Sequence, residues 1–333
     1  FWSASGIIAG VFLLFVLALG VAEPSQQPQP TTIPEMWDAW CARCHAQDGS
    51  GKMPEPTITV EPMDFTDCRV TSPEPDADWQ LAISHGGPAV GLSSEMPAFG
   101  DSLTADQVSG FVAHMRTLCR DTGWPSGNTN FPRPIVTEKA FPENEFVLLP
   151  SVSHDSAAIA AVYERRFGKR SMWEVALPVH SRDGIDDIEV AVKQVLYSTN
   201  SHILSGGLEV VVPTGLVEPY LAFGASRGSM YFQAQTKLEL PARRDQAERA
   251  FVYNLYAGRD TSNSPNTWTL GVELNGENRE LAITPQLRKG LTKTGALGAS
   301  LGVQIPLNRR DRQHTRVIGY LLWEYLEPVR ARP

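Results

Sequence analysis

The chain has 333 residues, 42% hydrophobic, 20% charged and 9% aromatic, which is the make-up of a folded protein and excludes a disordered one. Its length suits two domains better than one. The net charge of -8 and the lack of a long basic run exclude nucleic acid as a partner on electrostatic grounds.

Residues 1–22 are almost wholly apolar and carry no charge, so they read as the hydrophobic region of a signal peptide, with a membrane anchor as the alternative. Neither an initiator Met nor a basic leading segment precedes this run. The expected destination is export. Residues 23–30, rich in Pro and Gln, read as an extended tether. A compact unit is expected over 31–124, a Pro/Asn/Gly-rich linker over 125–145 and a strand-rich domain over 146–327.

The compact unit opens with Thr32 and Glu35 at the spacing of a capping box, followed by a helix through Met36, Trp37 and Trp40. That helix runs into Cys41-Ala42-Arg43-Cys44-His45. C-x-x-C-H is the attachment signature of haem c: two thiols bond the porphyrin and the adjacent imidazole meets the iron. A zinc site needs a second Cys or His pair, and none lies nearby in the sequence. The expected cofactor is therefore one covalent haem c on Cys41, Cys44 and His45. Cys68 and Cys119 are left over, and an oxidising compartment favours a disulfide between them over two separate thiols.

Further along, Gly49 and Gly51 follow the His, and Leu81, Ile83 and Gly86 precede Met96-Pro97-Ala98-Phe99. Thr104 and Gln107 then cap a last helix with Val108, Phe111, Val112, Met115 and Leu118 on one face. Over about 31–120 this order resembles small monohaem cytochromes c of the Met-ligated class. The resemblance makes Met96 the second axial ligand of the haem iron, opposite His45; Met53, Met63 and His85 are its competitors. Two protein ligands on the iron favour electron transfer over peroxide or gas chemistry. No catalytic residue is assigned, and the expected role is that of an electron carrier rather than a stand-alone enzyme.

From residue 146 the pattern becomes a period of two. Phe232, Ala234, Leu238 and Leu240 oppose Gln233, Gln235, Lys237 and Glu239; Leu270, Val272 and Leu274 oppose Thr269, Glu273 and Asn275. About twelve such segments reach the length of tilted bilayer-crossing strands. The reading is an all-β antiparallel up-and-down barrel in an outer membrane, apolar outside and polar within. A soluble sandwich or lipocalin-like barrel is the alternative. Trp173, Tyr197, Tyr220, Tyr231, Trp268, Tyr320, Trp323 and Tyr325 are expected in the interfacial girdles. The fold class is thus α+β multidomain, an all-α cytochrome c domain followed by the barrel.

The passages Phe131-Pro132-Arg133-Pro134-Ile135-Val136-Thr137-Glu138, Tyr163-Glu164-Arg165-Arg166-Phe167-Gly168 and Glu218-Pro219-Tyr220-Leu221-Ala222-Phe223-Gly224 carry a second resemblance. They resemble exported bacterial proteins in which a monohaem cytochrome c is fused to a porin- or transporter-like barrel. The layout is also similar to fused cytochrome–porin iron oxidases, although this barrel is shorter. The resemblance implies an electron-transfer protein at the outer membrane, with a periplasmic carrier or dehydrogenase as redox partner and outer-membrane lipid around the barrel. Two alternatives stay open: a redox-gated or redox-sensing channel, and an electron-accepting subunit docked to a dehydrogenase. A unit of about a hundred residues, with a radius of gyration near 13 Å, is too large for the lumen, so it plugs a mouth or hangs on the linker. Lumen charges such as Lys237, Glu239, Glu273 and Arg288 read as solvated strand residues.

Overall fold

The structure is a computed structural model that describes residues 30–53, 58–242, 248–308 and 315–325. The expected signal peptide and nearly all of the Pro/Gln tether lie outside the described residues. Among the described residues no helix is long and apolar enough to cross a membrane.

Among the described residues thirteen strands form one antiparallel sheet: β1 (Glu145–Ser153), β2 (Ala157–Phe167), β3 (Ser171–His180), β4 (Gly184–Ile185), β5 (Ile188–Ser198), β6 (His202–Val212), β7 (Leu216–Arg227), β8 (Met230–Pro241), β9 (Ala250–Asp260), β10 (Trp268–Glu277), β11 (Glu280–Gly290), β12 (Leu297–Pro306) and β13 (Arg316–Glu324). Sequential strands pair as neighbours, except that β3 takes both β4 and β5 as partners, and β1 pairs with β13 from Glu145↔Glu324 to Ser153↔Arg316. The ring is closed. Twelve strands of 9 to 12 residues make the barrel, and β4, of 2 residues, adds to the rim beside β3.

Polarity decides which solvent this barrel faces. Val192, Leu221, Leu238, Leu255, Leu270, Leu287, Leu301 and Leu321 are all at least two-fifths exposed, whereas Glu164, Lys193, Gln233, Glu273, Thr284 and Ser300 are buried. The apolar face points outward on strand after strand. A soluble sandwich or lipocalin-like barrel would place it inside, so the alternation resolves to an outer-membrane barrel with a polar lumen. This is an outer-membrane protein.

The girdle expectation needs correction. Tyr197, Trp268 and Trp323 are exposed near one end of the barrel, but Tyr220 and Tyr320 are buried in the lumen, and Tyr231 packs inward on Phe131. Their rings fill space left by small residues: Tyr220 lies across from Gly207 in register and covers it.

The N-terminal unit is built of short helices around one small core. Helix α1 (Ile33–Met36) continues through a π-helical turn, Trp37–Cys41, into α2 (Ala42–His45); α3 (Cys68–Thr71), α4 (Asp76–His85) and α5 (Ala105–Leu118) follow. Both capping boxes form, Thr32 with Glu35 and Thr104 with Gln107. Met36, Trp37, Phe65, Trp79, Ile83, Phe111, Val112 and Met115 share the core. A disulfide joins Cys68 to Cys119. Among the described residues only two of the five α-helices reach ten residues and the other three have four, so the expected all-α cytochrome domain is here a loop-rich helical unit.

Gly207→Ala tests the ring-over-glycine packing. A Cβ at Gly207 would overlap the Tyr220 ring, itself held between the barrel wall and the lumen. The expected loss is about 1–3 kcal/mol, the usual cost of overpacking, read as a lower urea midpoint in detergent. The paired change Gly207→Ala with Tyr220→Leu should recover part of it.

Candidate functional site: the occupied lumen

The stretch 125–145 has the composition of a solvated linker but lies inside the barrel. Phe131, Thr137, Lys139, Ala140, Phe141 and Glu143 are each at most 5% exposed. The chain enters where Ser126 N–H donates to Ser198 Oγ (3.4 Å), at the end of β5. It reaches mid-barrel at Ile135–Thr137 and returns to the same end, where Glu145 starts β1. Four prolines (Pro125, Pro132, Pro134, Pro142) remove backbone donors that would otherwise need acceptors in the lumen.

Several of the remaining donors are met by strand side chains. Glu273, buried on β10, accepts from the backbone N–H of Ile135 (2.8 Å) and Val136 (3.0 Å) through Oε1, and from Thr137 N–H (2.7 Å) and Thr137 Oγ (2.6 Å) through Oε2. Gln286 Nε2, on β11, braces the same carboxylate at 2.5 Å. A carboxylate that accepts several N–H groups is a strong, charge-assisted anchor. Around it, Gln235 accepts from Glu138 N–H (3.1 Å), Ser205 Oγ donates to the Ala140 carbonyl (2.5 Å), and Tyr320 OH donates to the Arg133 carbonyl (2.7 Å).

Charges that would be stranded in the lumen are paired with this segment. Arg133 bridges Glu164 and Glu145, Lys139 meets Glu143 and Glu145, and Lys193 binds Glu138 at 2.7 Å. Because the partners are buried on both sides, removing one member leaves an uncompensated charge, costing about 3–5 kcal/mol. The lumen segment and the wall therefore hold each other.

The helical unit sits over the mouth through which this segment enters. Asn128 exchanges two hydrogen bonds with Asp76 (both 2.8 Å), and Asn130 donates to the Pro73 carbonyl at 3.1 Å. From the barrel turns, Lys169 bonds Asp121 and the Thr122 carbonyl, and Lys293 donates to the Pro88 carbonyl at 3.0 Å. Gly91 abuts Lys293 and Thr294 in the β11–β12 turn. The loop of residues 86–96 thus rests on the barrel.

Within that unit Cys41 and Cys44 are free, half-buried thiols, and His45 lies against Phe65 at a ring separation of 5.1 Å with its Nδ1 buried and unpartnered. Cys41 and Met96 pack against the same core, but so does Met63, so both Met96 and this competitor are brought to it. Met115 is a core residue of α5. Of the lumen charges, Lys237 pairs with Glu218, and Glu273, expected to be solvated, is instead the clamp. Nothing in its local sequence distinguishes it from any other acidic residue on the polar face of a strand.

Comparison with protein-family models and with curated proteins returns no match. Among solved structures, a KdgM porin matches with a TM-score of 0.45 at 11% identity, covering 54% of this chain and 99% of its own. A NanC porin matches at 0.43 and 9% identity over 55% and 99%. An outer membrane channel from Pseudomonas putida F1 matches at 0.44 and 13% identity over 59% and 100%. The likeness is one of fold. The expected electron-carrier function is corrected here: these neighbours are porins and channels, and cytochrome c, haem, iron and electron transfer gain no support from them. Among the described residues no group of three or more His, Cys, Asp or Glu is placed to hold a metal ion. What the chain builds at length is a barrel with an occupied lumen.

Two acidic groups at the docked mouth carry a pH dependence. Burial, then the like charge of Asp78, pushes Glu74 up to about 7; burial, then Asp260, pushes Asp78 up to about 6. A carboxyl raised on folding contributes stability that is complete below its unfolded value, near 4.5 for Glu74, and lost as pH rises through the folded value. Amide protection over residues 68–85, corrected for intrinsic exchange, should therefore fall between pH 5 and pH 8. Glu74→Gln should flatten that fall.

Proposed function

We propose that the chain is an outer-membrane channel held shut by its own lumen segment, with the helical unit at the mouth serving as its sensor. The observation that carries this reading is the Glu273 clamp: three consecutive backbone N–H groups of the segment are bound by one buried carboxylate of the wall. A barrel of twelve strands lies between the filled eight-stranded and open sixteen-stranded sizes, so a single loop can close it. Outer-membrane lipid surrounds the apolar face, and the docked mouth faces the periplasm. KdgM porin has also been solved in complex with a disordered oligogalacturonate, which supports solute passage as the use of such a barrel.

The helical unit is connected to the clamp. Its 86–96 loop touches the β11–β12 turn at Lys293 and Thr294, and β11 carries Gln286, which braces Glu273. That loop ends at Met96. Cys41, Cys44 and His45 suit a covalent haem c: two unpaired thiols share a helical turn, beside an imidazole nitrogen lacking a partner in an aromatic pocket. In the proposal His45 and Met96 would hold the haem iron, and bound haem would supply a one-electron couple whose state a periplasmic carrier or dehydrogenase sets. Cys41, Cys44 and His45 would hold the group, Trp37 and Phe65 beside His45 would shield it from water, and the loop that ends at Met96 rests on the barrel.

In planar bilayers the wild-type protein should be silent and Glu273→Ala should give discrete openings, since the change leaves three N–H groups without an acceptor at about 1–3 kcal/mol each. Silence of both Glu273→Ala and a variant with residues 133–139 replaced by Gly and Ser, in protein that remains folded, would end the channel reading. Haem is tested separately. Acid-acetone-washed protein should keep a pyridine-haemochrome band that Cys41→Ser with Cys44→Ser abolishes; a bare wild-type chain removes the haem and leaves the channel reading standing.

A further inference from the structure

Side chains alternate between the two faces of a strand, and cross-strand partners share a face. On that count four charged residues of the described strands point outward: Arg165 on β2, Arg227 on β7, Arg259 on β9 and Lys289 on β11. No Asp or Glu of the described strands does. All four strands run toward the mouth under the helical unit, and each cation falls within the last three residues of its strand. Lys289 is engaged, donating to the Asn266 carbonyl and lying 5.3 Å over the Trp268 ring. Arg165 is four strands from β7 around the ring.

Arg227 and Arg259 belong together. Met230 of β8 is the register partner of both, so the three share one row and the two arginines stand about 10 Å apart, two strand spacings. Both are exposed, and neither has an ion-pair partner among the described residues. Asp260, next along the chain, is turned inward, where it accepts from Tyr231 OH and Thr269 Oγ. Directly beyond this row, on the outward face of β7 to β10, a cavity of about 500 Å³ is lined by Phe223, Phe232, Ala234, Leu255, Ala257 and Val272. The register explains the hollow. Ala234 lies between Phe223 and Leu255, and Ala257 between Phe232 and Val272, so two methyl groups sit among large side chains. Ala257 is one outward step from Arg259 on β9, so the arginine row and the apolar groove adjoin.

We propose that this face holds one anionic glycerophospholipid, its phosphate between Arg227 and Arg259 and one acyl chain along the groove. A guanidinium presents paired N–H donors that match phosphate oxygens. Two such cations in a row without a carboxylate favour a headgroup of net negative charge over a zwitterionic one, by about fivefold per arginine. A soluble phosphate ester would leave the groove empty, and a neutral apolar molecule would leave both arginines unanswered; a phospholipid with a charged head fills both. The docked mouth faces the periplasm in the channel reading, and the leaflet on that side is made of phospholipid, whereas lipid A belongs to the opposite one. The inference rests on that reading for its orientation alone.

Native mass spectrometry of the full chain in a maltoside detergent tests it, with phosphatidylglycerol, phosphatidylcholine or lipid A added at equal concentration. Phosphatidylglycerol should be retained best of the three. Arg227→Gln and Arg259→Gln should each weaken its retention about fivefold. Ala257→Phe, which fills the groove and keeps both charges, should weaken it too. Arg182→Gln with Arg249→Gln removes two exposed arginines from loops at the opposite end and should retain the lipid as wild type does. The proposal is overturned if phosphatidylcholine is held as well as phosphatidylglycerol, if lipid A is held better, if the arginine and groove variants retain lipid as wild type does, or if the opposite-end variant loses as much. Failure of the lipid to bind leaves the channel reading standing, since no conductance is measured; a silent Glu273→Ala would sink the channel and leave the lipid site intact.

Discussion

Everything in this structure answers to the demand that no backbone N–H or C=O meet hydrocarbon unpaired. Twelve strands satisfy it only by joining end to end, and the β1–β13 pairing is the join. Closure turns the apolar side chains outward and collects the polar ones within a narrow tube. The charges gathered there then need partners of their own. Residues 131–144 bring Arg133, Lys139 and Glu138 to Glu164, Glu145 and Lys193, so the segment that closes the lumen also neutralises it.

The barrel was readable because its signal is local. Phe232 beside Gln233 and Val272 beside Glu273 declare two faces without reference to any distant residue. Strand number followed from that alternation, whereas the direction of the apolar face did not, since a soluble barrel alternates equally well and only the exposure of the strand residues decides. Which aromatics belong to the girdle did not, because Trp323 and Tyr320 sit on opposite faces of one strand, and girdle membership depends on depth as well as face.

The occupied lumen was not readable for the opposite reason. Pro132, Pro134 and Pro142 give the segment the composition of a tether, while its hydrogen bonds come from residues remote in sequence: Glu273 lies 138 positions from Ile135. No local pattern encodes such a pairing. In the helical unit the caps at Thr32 and Thr104 were legible, being set within a few residues. The Cys41–His45 motif names a chemistry by its spacing, but its surroundings, with Met63 as well as Met96 at the same core, come only from tertiary packing.

The lumen segment lies immediately before β1 in the chain, and both of its ends leave by one mouth. The barrel can therefore wrap around it during assembly, with no free end to be pushed through a finished ring. The seam joins β13 to β1, the strand that the lumen segment runs directly into, so the last strand of the ring closes beside the residues it encloses. Ring and filling are thus encoded side by side: the strand at the seam is preceded in the chain by the residues the ring surrounds.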